Sequence, residues 1–190
     1  VGSTKVCCII AKLRPRGEQS VLPGRSHAIE VVGFGYQKSG GIKSGVIVDM
    51  VEAEKSIRLA VDQAEQSAGL TVDSLIVTVS AGRLASDALS SSITLGGAEV
   101  LASDIKEVLT AGHAHVAQSG RATLHAMPIG YSLDEETGIH DPEGMVGDEL
   151  GVDMHVVSAD TAPLRNLEGC LNRSHLSVDA MVAAPYASGL

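Results

Sequence analysis

Two stretches of this chain carry the same short pattern, and that pattern limits what the chain can become. Residues 70–77 read LTVDSLIV and residues 176–183 read LSVDAMVA, a match of residue type at nearly every position. Each copy follows a segment with helical spacing. Before the first, Ile57, Ala60, Val61, Ala64 and Ala68 recur at helix-face intervals, Asp49 and Glu52 form a D-x-x-E capping box, and Gly69 ends the helix. Before the second, Leu164, Leu167 and Leu171 repeat the spacing, and Thr161 is placed to cap. Pro163 sits in the first turn, where its missing N–H costs little, and His175 takes the place of Gly69. Two units with the order helix, tight turn, Val-Asp, apolar strand are what a layered α/β domain is built from.

The section between the copies, residues 83–151, has a different character. Asp104 and Glu107 form a second capping box, and Ile105, Val108, Leu109 and Val116 make one apolar stripe. Such a helix needs a surface to lie on. Residues 93–95 before it and 123–133 after it offer strands, and the Gly-rich tract 138–151 leads back to a strand at 152–157. The expectation is a small strand–helix–strand module inserted into the larger domain. Ahead of the first helix, residues 6–10 are apolar without alternation, which is how a strand covered on both faces reads. Residues 29–34 supply another strand. Between them, residues 14–24 carry the polar and Pro/Gly marks of a surface hairpin loop, and SGGIKSG at 39–45 is a Gly-rich connection into the helix.

Composition narrows the classes of partner. At 190 residues and 44% hydrophobic content the chain has ample material for a core. Only 2% of it is aromatic and its net charge is -9, so it lacks both the flat rings and the basic patches that nucleic acid requires. Three Cys, an odd number without a disulfide framework, point to a reducing compartment, with the cytoplasm as default. No stretch approaches the ~20 uninterrupted apolar residues of a membrane span.

Candidate chemistry begins at Gly2-Ser3-Thr4-Lys5. Glycine permits close backbone approach, hydroxyls donate to phosphate oxygens, and lysine supplies charge, so the turn has a rationale as a phosphate grip. The Walker spacing G-x-x-x-x-G-K-[ST] is absent, and four such residues taken alone form a polar strand turn more often than a ligand site. Among seven histidines, His113 and His115 suggest a metal, with His125, His140 and His155 as further ligands. On a helix, however, positions i and i+2 point to nearly opposite sides, which favours solvated or locally hydrogen-bonded histidines. Cys7-Cys8 reads as two small buried side chains of a central strand rather than a redox pair, because neighbours on a strand face opposite ways. There is no G-x-S-x-G elbow. Asp134-Glu135-Glu136 and Asp141-Pro142-Glu143 place carboxylates in turns, where they assist chain reversal. On these residues the case for an enzyme is poor.

Laid in order, GSTKV, GIKSGVIVDM, LIVTVSAG, LHAMPIGYSLD, GIHDPEGMVGDELGVDMHVV and VDAMVAAPYASGL make the chain resemble the N-terminal half of the FtsA family of bacterial actin-like cell-division proteins. The resemblance runs from Val1 to Leu190. It implies an α/β, actin-like (ribonuclease-H-like) subdomain 1A at residues 1–82 and 152–190. That subdomain is interrupted by a small α+β, SHS2-like insertion, subdomain 1C, at residues 83–151. Members of that family bind ATP with Mg between two halves and have at most weak ATPase activity. They polymerise, tether the FtsZ ring to the inner membrane and recruit later division proteins, which places them in the cytoplasm at the inner face of the membrane at the division site. Gly2, Ser3, Thr4 and Lys5 match the family's first phosphate loop.

Two departures follow from the same resemblance. The acidic residue and strand that precede the loop are missing, and the chain stops before the second, glycine-rich phosphate loop. The chain therefore reads as truncated, with no ATP tightly bound, no activity of its own, and membrane contact only through a C-terminal helix beyond Leu190. A truncated 1A also leaves apolar sheet surface uncovered, which favours self-association. The alternatives are a pilus-assembly relative, disfavoured by the GIHDPEGM and VDAMVAAPYASGL tracts, and the first half of a sugar kinase, for which no acid and base stand near the phosphate turn.

Overall fold

A computed structural model describes residues 1–15, 27–80, 82–116 and 121–189. Its contacts divide the chain into two compact units, Val1–Ala81 with Arg165–Met181, and Gly82–Leu164 with Val182–Leu190.

In the first unit, strands β1 (Lys5–Pro15) and β2 (His27–Lys38) form an antiparallel ribbon, and helix α1 (Met50–Ala68) packs on one face of it. Glycine sets how closely they approach. A Cβ on Gly35 would fall 1.8 Å from the Ala60 carbonyl oxygen, and one on Gly33 would fall 2.3 Å from that of Ala64. The helix answers with Ala60 and Ala64, both fully buried, so strand and helix backbones touch directly. Tyr36 N adds a bond to Gln63 Oε1 at 2.9 Å.

The helix begins where its acid was expected to cap it. The Asp49 carboxylate accepts from the backbone N–H groups of Val51 and Glu52 at 3.0 and 3.1 Å. The reciprocal arm of the box is replaced, because Asp49 N donates to the Gly41 carbonyl at 3.1 Å. Gly69 closes the helix in the left-handed region at φ 67°.

The expectation that residues 6–10 are covered on both faces is corrected. Val6 and Ile10 are buried toward α1, but Ile9 is 61% exposed and Cys7 is exposed. The register explains this: Cys7 lies opposite Tyr36 and Ile9 opposite Phe34, on the face away from the helix. The Cys7-Cys8 pair is therefore not buried, Cys8 being only half so. The hairpin loop expected beyond β1 lies mostly outside the described residues, although Arg14 and Pro15 belong to the strand.

Both copies of the repeat behave alike. Strands β5 (Ser74–Val79) and β10 (Ser177–Ala183) are neighbours in one sheet, joined at their start by Ser177 N donating to the Asp73 carbonyl at 2.8 Å. Helix α3 (Thr161–Arg173) precedes β10 as α1 precedes β5. His175 adopts φ 60° where Gly69 has 67°. The next residue donates back into the helix each time, Leu70 to Glu65 at 3.3 Å and Leu176 to Leu171 at 3.1 Å.

The second unit is an antiparallel sheet in the order β6 (Ala85–Glu99), β9 (Val146–Asp160), β7 (Arg121–Leu133), β8 (Glu136–Ile139), with helix α2 (Ala102–Val116) laid on it. Val108 of the helix packs with Leu150, Val152, Met154 and Val156 of β9 in a core that is closed to solvent. The strand–helix–strand expectation holds in kind but not in extent. The strand expected at 93–95 runs from Ala85 to Glu99, and that expected at 152–157 runs from Val146 to Asp160, straight through the anticipated seam between 151 and 152. The helix also starts earlier than expected. Asp104 lies in its first turn and reaches back to accept from Leu101 N at 2.9 Å, so it closes the cap rather than opening it.

Candidate functional site

The Gly2–Lys5 turn is built by three main-chain and hydroxyl contacts. Gly2 N donates to the Lys5 carbonyl at 3.0 Å, which folds the four residues on themselves. Ser39 N, at the end of β2, donates to the Thr4 carbonyl at 3.1 Å. Gly45 N donates to Ser3 Oγ at 2.9 Å. That last contact ties the turn to a small hairpin, β3 (Ile42–Lys43) with β4 (Val46–Ile47). The hairpin loop Ser44-Gly45 has φ of 49° and 73°, both positive as a two-residue type I′ turn requires. Gly41 anchors the base of the hairpin: its carbonyl accepts from Val48 N at 2.8 Å, and a Cβ there would lie 2.2 Å from the Asp49 carbonyl.

Polar groups are left over for a ligand. Ser3 Oγ is used as an acceptor, so its O–H remains a donor. Ser3, Thr4 and Lys5 are exposed. Among the described residues the buried hydroxyl of Ser39 has no hydrogen-bond partner, and Ser39 touches the turn through its backbone. An orphaned buried hydroxyl costs stability until something bonds it. Lys5 stands opposite Lys38 in the strand register, a like-charge pair that an anion between them would relieve. The donor set of hydroxyls and lysines therefore fits a phosphate group.

Burial shifts two ionisable groups near the turn. The Val1 α-amino group beside it is pushed down by burial, opposed by Cys7. Burial and then Glu65 push the Cys8 thiol up. The adjacent cavity, about 330 Å³, is lined by Val6, Cys8, Ile10, Val61 and Val77 and does not include Ser3, Thr4 or Lys5. It is lined by residues of both β1 and β5, which do not pair among the described residues.

Two of the histidines raised as metal ligands, His125 and His155, have other engagements. His125 Nε2 accepts from Ala183 N at 2.9 Å, and its ring lies 4.4 Å from that of Tyr186. His155 Nε2 meets the Ser86 hydroxyl. His113 lies on α2, and the side chain of His115 lies outside what is described. The acidic turns act on the backbone: Asp134 Oδ1 accepts from Asp148 N and Glu149 N at 2.8 and 2.9 Å, and Asp141 Oδ1 accepts from Glu143 N at 3.2 Å.

Two features were missed from sequence. Ser39 and Ser44-Gly45 were read only as parts of a glycine-rich connection; the SG dipeptide at each end was the available signal. Arg121 was not singled out at all. It donates to Asp160 Oδ1 at 2.6 Å, to Ser158 Oγ at 2.9 Å and to the Arg83 carbonyl at 2.5 Å. Together with Asp160 N donating to the Gly82 carbonyl at 2.6 Å, this clasps the two ends of the four-stranded sheet's chain where it enters and leaves.

Comparison with known proteins agrees with the architecture. Residues 81–158 match a family model described as the SHS2 domain inserted in FTSA. The whole chain is 60% identical to the cell division protein FtsA of Agrobacterium fabrum over 190 residues, covering 43% of that protein. Over 188 residues it is 30% identical to the FtsA of Pseudomonas aeruginosa and 23% identical to that of Escherichia coli, covering 43% and 42% of them. The chain thus spans less than half the length of these relatives. A solved structure titled PilM-PilN type IV pilus biogenesis complex shares the fold, with a TM-score of 0.59 at 11% identity over 98% of this chain and 46% of that one.

Proposed function

Because the chain belongs to the FtsA family of cell-division proteins, with an actin-like α/β fold interrupted by an SHS2 insertion, we propose that it is the part of a division scaffold that supplies one wall of a nucleotide site and one protein-contact module. The parent protein binds ATP with Mg, links the FtsZ ring to the inner face of the membrane at the division site, and recruits later division proteins. In that role Gly2, Ser3, Thr4 and Lys5 face the phosphates, joined by the Ser39 hydroxyl. The single observation that carries the reading is the 60% identity to the cell division protein FtsA of Agrobacterium fabrum along all 190 residues.

This chain supplies one wall of the proposed site. A site assembled from two halves loses most of its affinity when the remaining contacts must bear the ordering cost alone. On this reading the full-length protein binds ATP, and the 190-residue chain alone binds it too weakly to measure.

The insertion, expected at residues 83–151 between two segments of 1A, is the module for self-association and partner contacts. Its excision is best made where the main chain meets itself, between Gly82 and Asp160, since a cut at 151 would sever β9. Removing it from the parent should abolish self-association and leave 1A soluble. Unchanged assembly of the excised parent, followed by light scattering, would overturn the assigned role.

A further inference from the structure

The β1–β2 ribbon treats its positive charges differently at its two ends. Far from the turn, Lys12 stands opposite Glu30 in the register, and Arg14 Nε bonds the Glu30 carboxylate. At the turn, Lys5 stands opposite Lys38, and among the described residues neither lysine has an ion pair with a carboxylate. Directly opposed residues of an antiparallel pair carry their side chains on one face, about 5 Å apart at Cβ, where like charges repel. Acidic residues outnumber basic ones 23 to 14 in this chain, so an uncompensated pair of exposed cations is an exception to its own balance. The pair also stands at the candidate site. Lys5 closes the turn by accepting from Gly2 N at 3.0 Å, and Ser39 N, next after Lys38, donates to the Thr4 carbonyl at 3.1 Å.

We propose that Lys38 is a second cation of the phosphate site and acts with Lys5 on the same phosphate group. An anion set between two ammonium groups turns their repulsion into two attractions, so the pair that weakens the empty fold strengthens the occupied one. Each ammonium brings three donors on a flexible stem, which suits a phosphate with several acceptor oxygens. The inference rests on reading Gly2–Lys5 as one wall of a nucleotide site and adds to that wall a residue from β2. It separates Lys38 from a bystander by sign. A solvated surface lysine would alter neither stability nor affinity when replaced, and a structural one would lower stability. A binding pair predicts that loss of the Lys38 charge stabilises the empty chain and weakens the ligand.

The test is calorimetric titration of Mg-ATP into the full-length parent carrying Lys38→Gln or Lys38→Arg, with urea denaturation of the 190-residue chain carrying the same substitutions. Lys38→Gln should weaken Mg-ATP binding about tenfold, the lower end for a charge-assisted hydrogen bond, and Lys38→Arg, which keeps the charge, should hold it within about twofold. In the unliganded chain Lys38→Gln should raise the urea midpoint at low salt, and the gain should vanish near 1 M salt, where charges are screened within ~3 Å. A Lys38→Gln parent that binds Mg-ATP within about twofold of the unaltered parent would overturn the role of Lys38 and leave the Gly2–Lys5 wall standing. A Lys38→Gln chain less stable than the unaltered chain would also overturn it. An unaltered parent that binds no Mg-ATP would overturn the wall itself, and this inference with it.

Discussion

Replacing Gly35 with Ala probes the contact on which the first unit depends. The added Cβ would lie 1.8 Å from the Ala60 carbonyl oxygen and 2.9 Å from Ala64 N, both backbone atoms of α1 that no rotamer change can move. Strand and helix must therefore separate by about an ångström, a gap that forfeits a quarter to a half of each van der Waals well along the contact. Overpacking of a core typically costs about 1–3 kcal/mol, and a rigid backbone neighbour places this case at the upper end, roughly 3 kcal/mol. That is a large share of the ~5–15 kcal/mol by which domains are stable. Two controls in the same unit isolate the cause. Gly69→Ala meets nothing within 4 Å but sits at φ 67°, so it should cost about 1–2 kcal/mol through the left-handed backbone alone. Gly169→Ala in α3 also meets nothing within 4 Å and has helical geometry, so it should stabilise by about 0.5–1 kcal/mol. Urea denaturation followed by circular dichroism reads all three. A Gly35→Ala unfolding free energy within about 1 kcal/mol of that of the unaltered chain, or equal to that of Gly69→Ala, would refute the close-contact explanation.

Two further outcomes follow from single side chains. Arg121→Ala removes charge-assisted bonds to Asp160 and Ser158 where the Arg121 and Asp160 side chains are 24% and 37% exposed, and it should lower stability by about 1–2 kcal/mol, whereas Arg83→Ala, whose side chain is 90% exposed, should change it by under ~0.5 kcal/mol; equal losses in thermal melts would rule this out. Burial pushes the Cys8 and Cys170 thiols up, helped by Glu65 and Glu54 respectively and opposed at Cys170 by Arg173; near pH 8 a thiol-specific label should therefore take Cys7 first, the other two gaining rate only at higher pH, and uniform labelling would contradict the burial assigned to them.

The repeat was legible because its signals are local. Asp49, Gly69 and His175 each act within one helical turn, so their residue types reveal their roles without knowledge of the rest of the fold. Strand β6 was largely illegible for the opposite reason. Ser-rich ASDALSSS has little intrinsic strand preference, and it becomes a strand by pairing with Val152, Met154 and Val156 of β9, sixty or more residues away. The exposure of Ile9 and Cys7 was misread because an apolar run says that a strand has two apolar faces, not that both are covered. At the Gly2–Lys5 turn the four residues stand together in the sequence, but Ser39 and Gly45 enter only through distances that the folded chain creates.

The proposed function makes the turn at Gly2–Lys5 one wall of a two-walled nucleotide site. Calorimetric titration of Mg-ATP into this chain and into the full-length parent tests it directly. Binding by the parent, its loss on Ser3→Ala with Lys5→Ala, and no measurable binding by the 190-residue chain are the predicted results. Micromolar binding by this chain, or undiminished binding by the substituted parent, would contradict it.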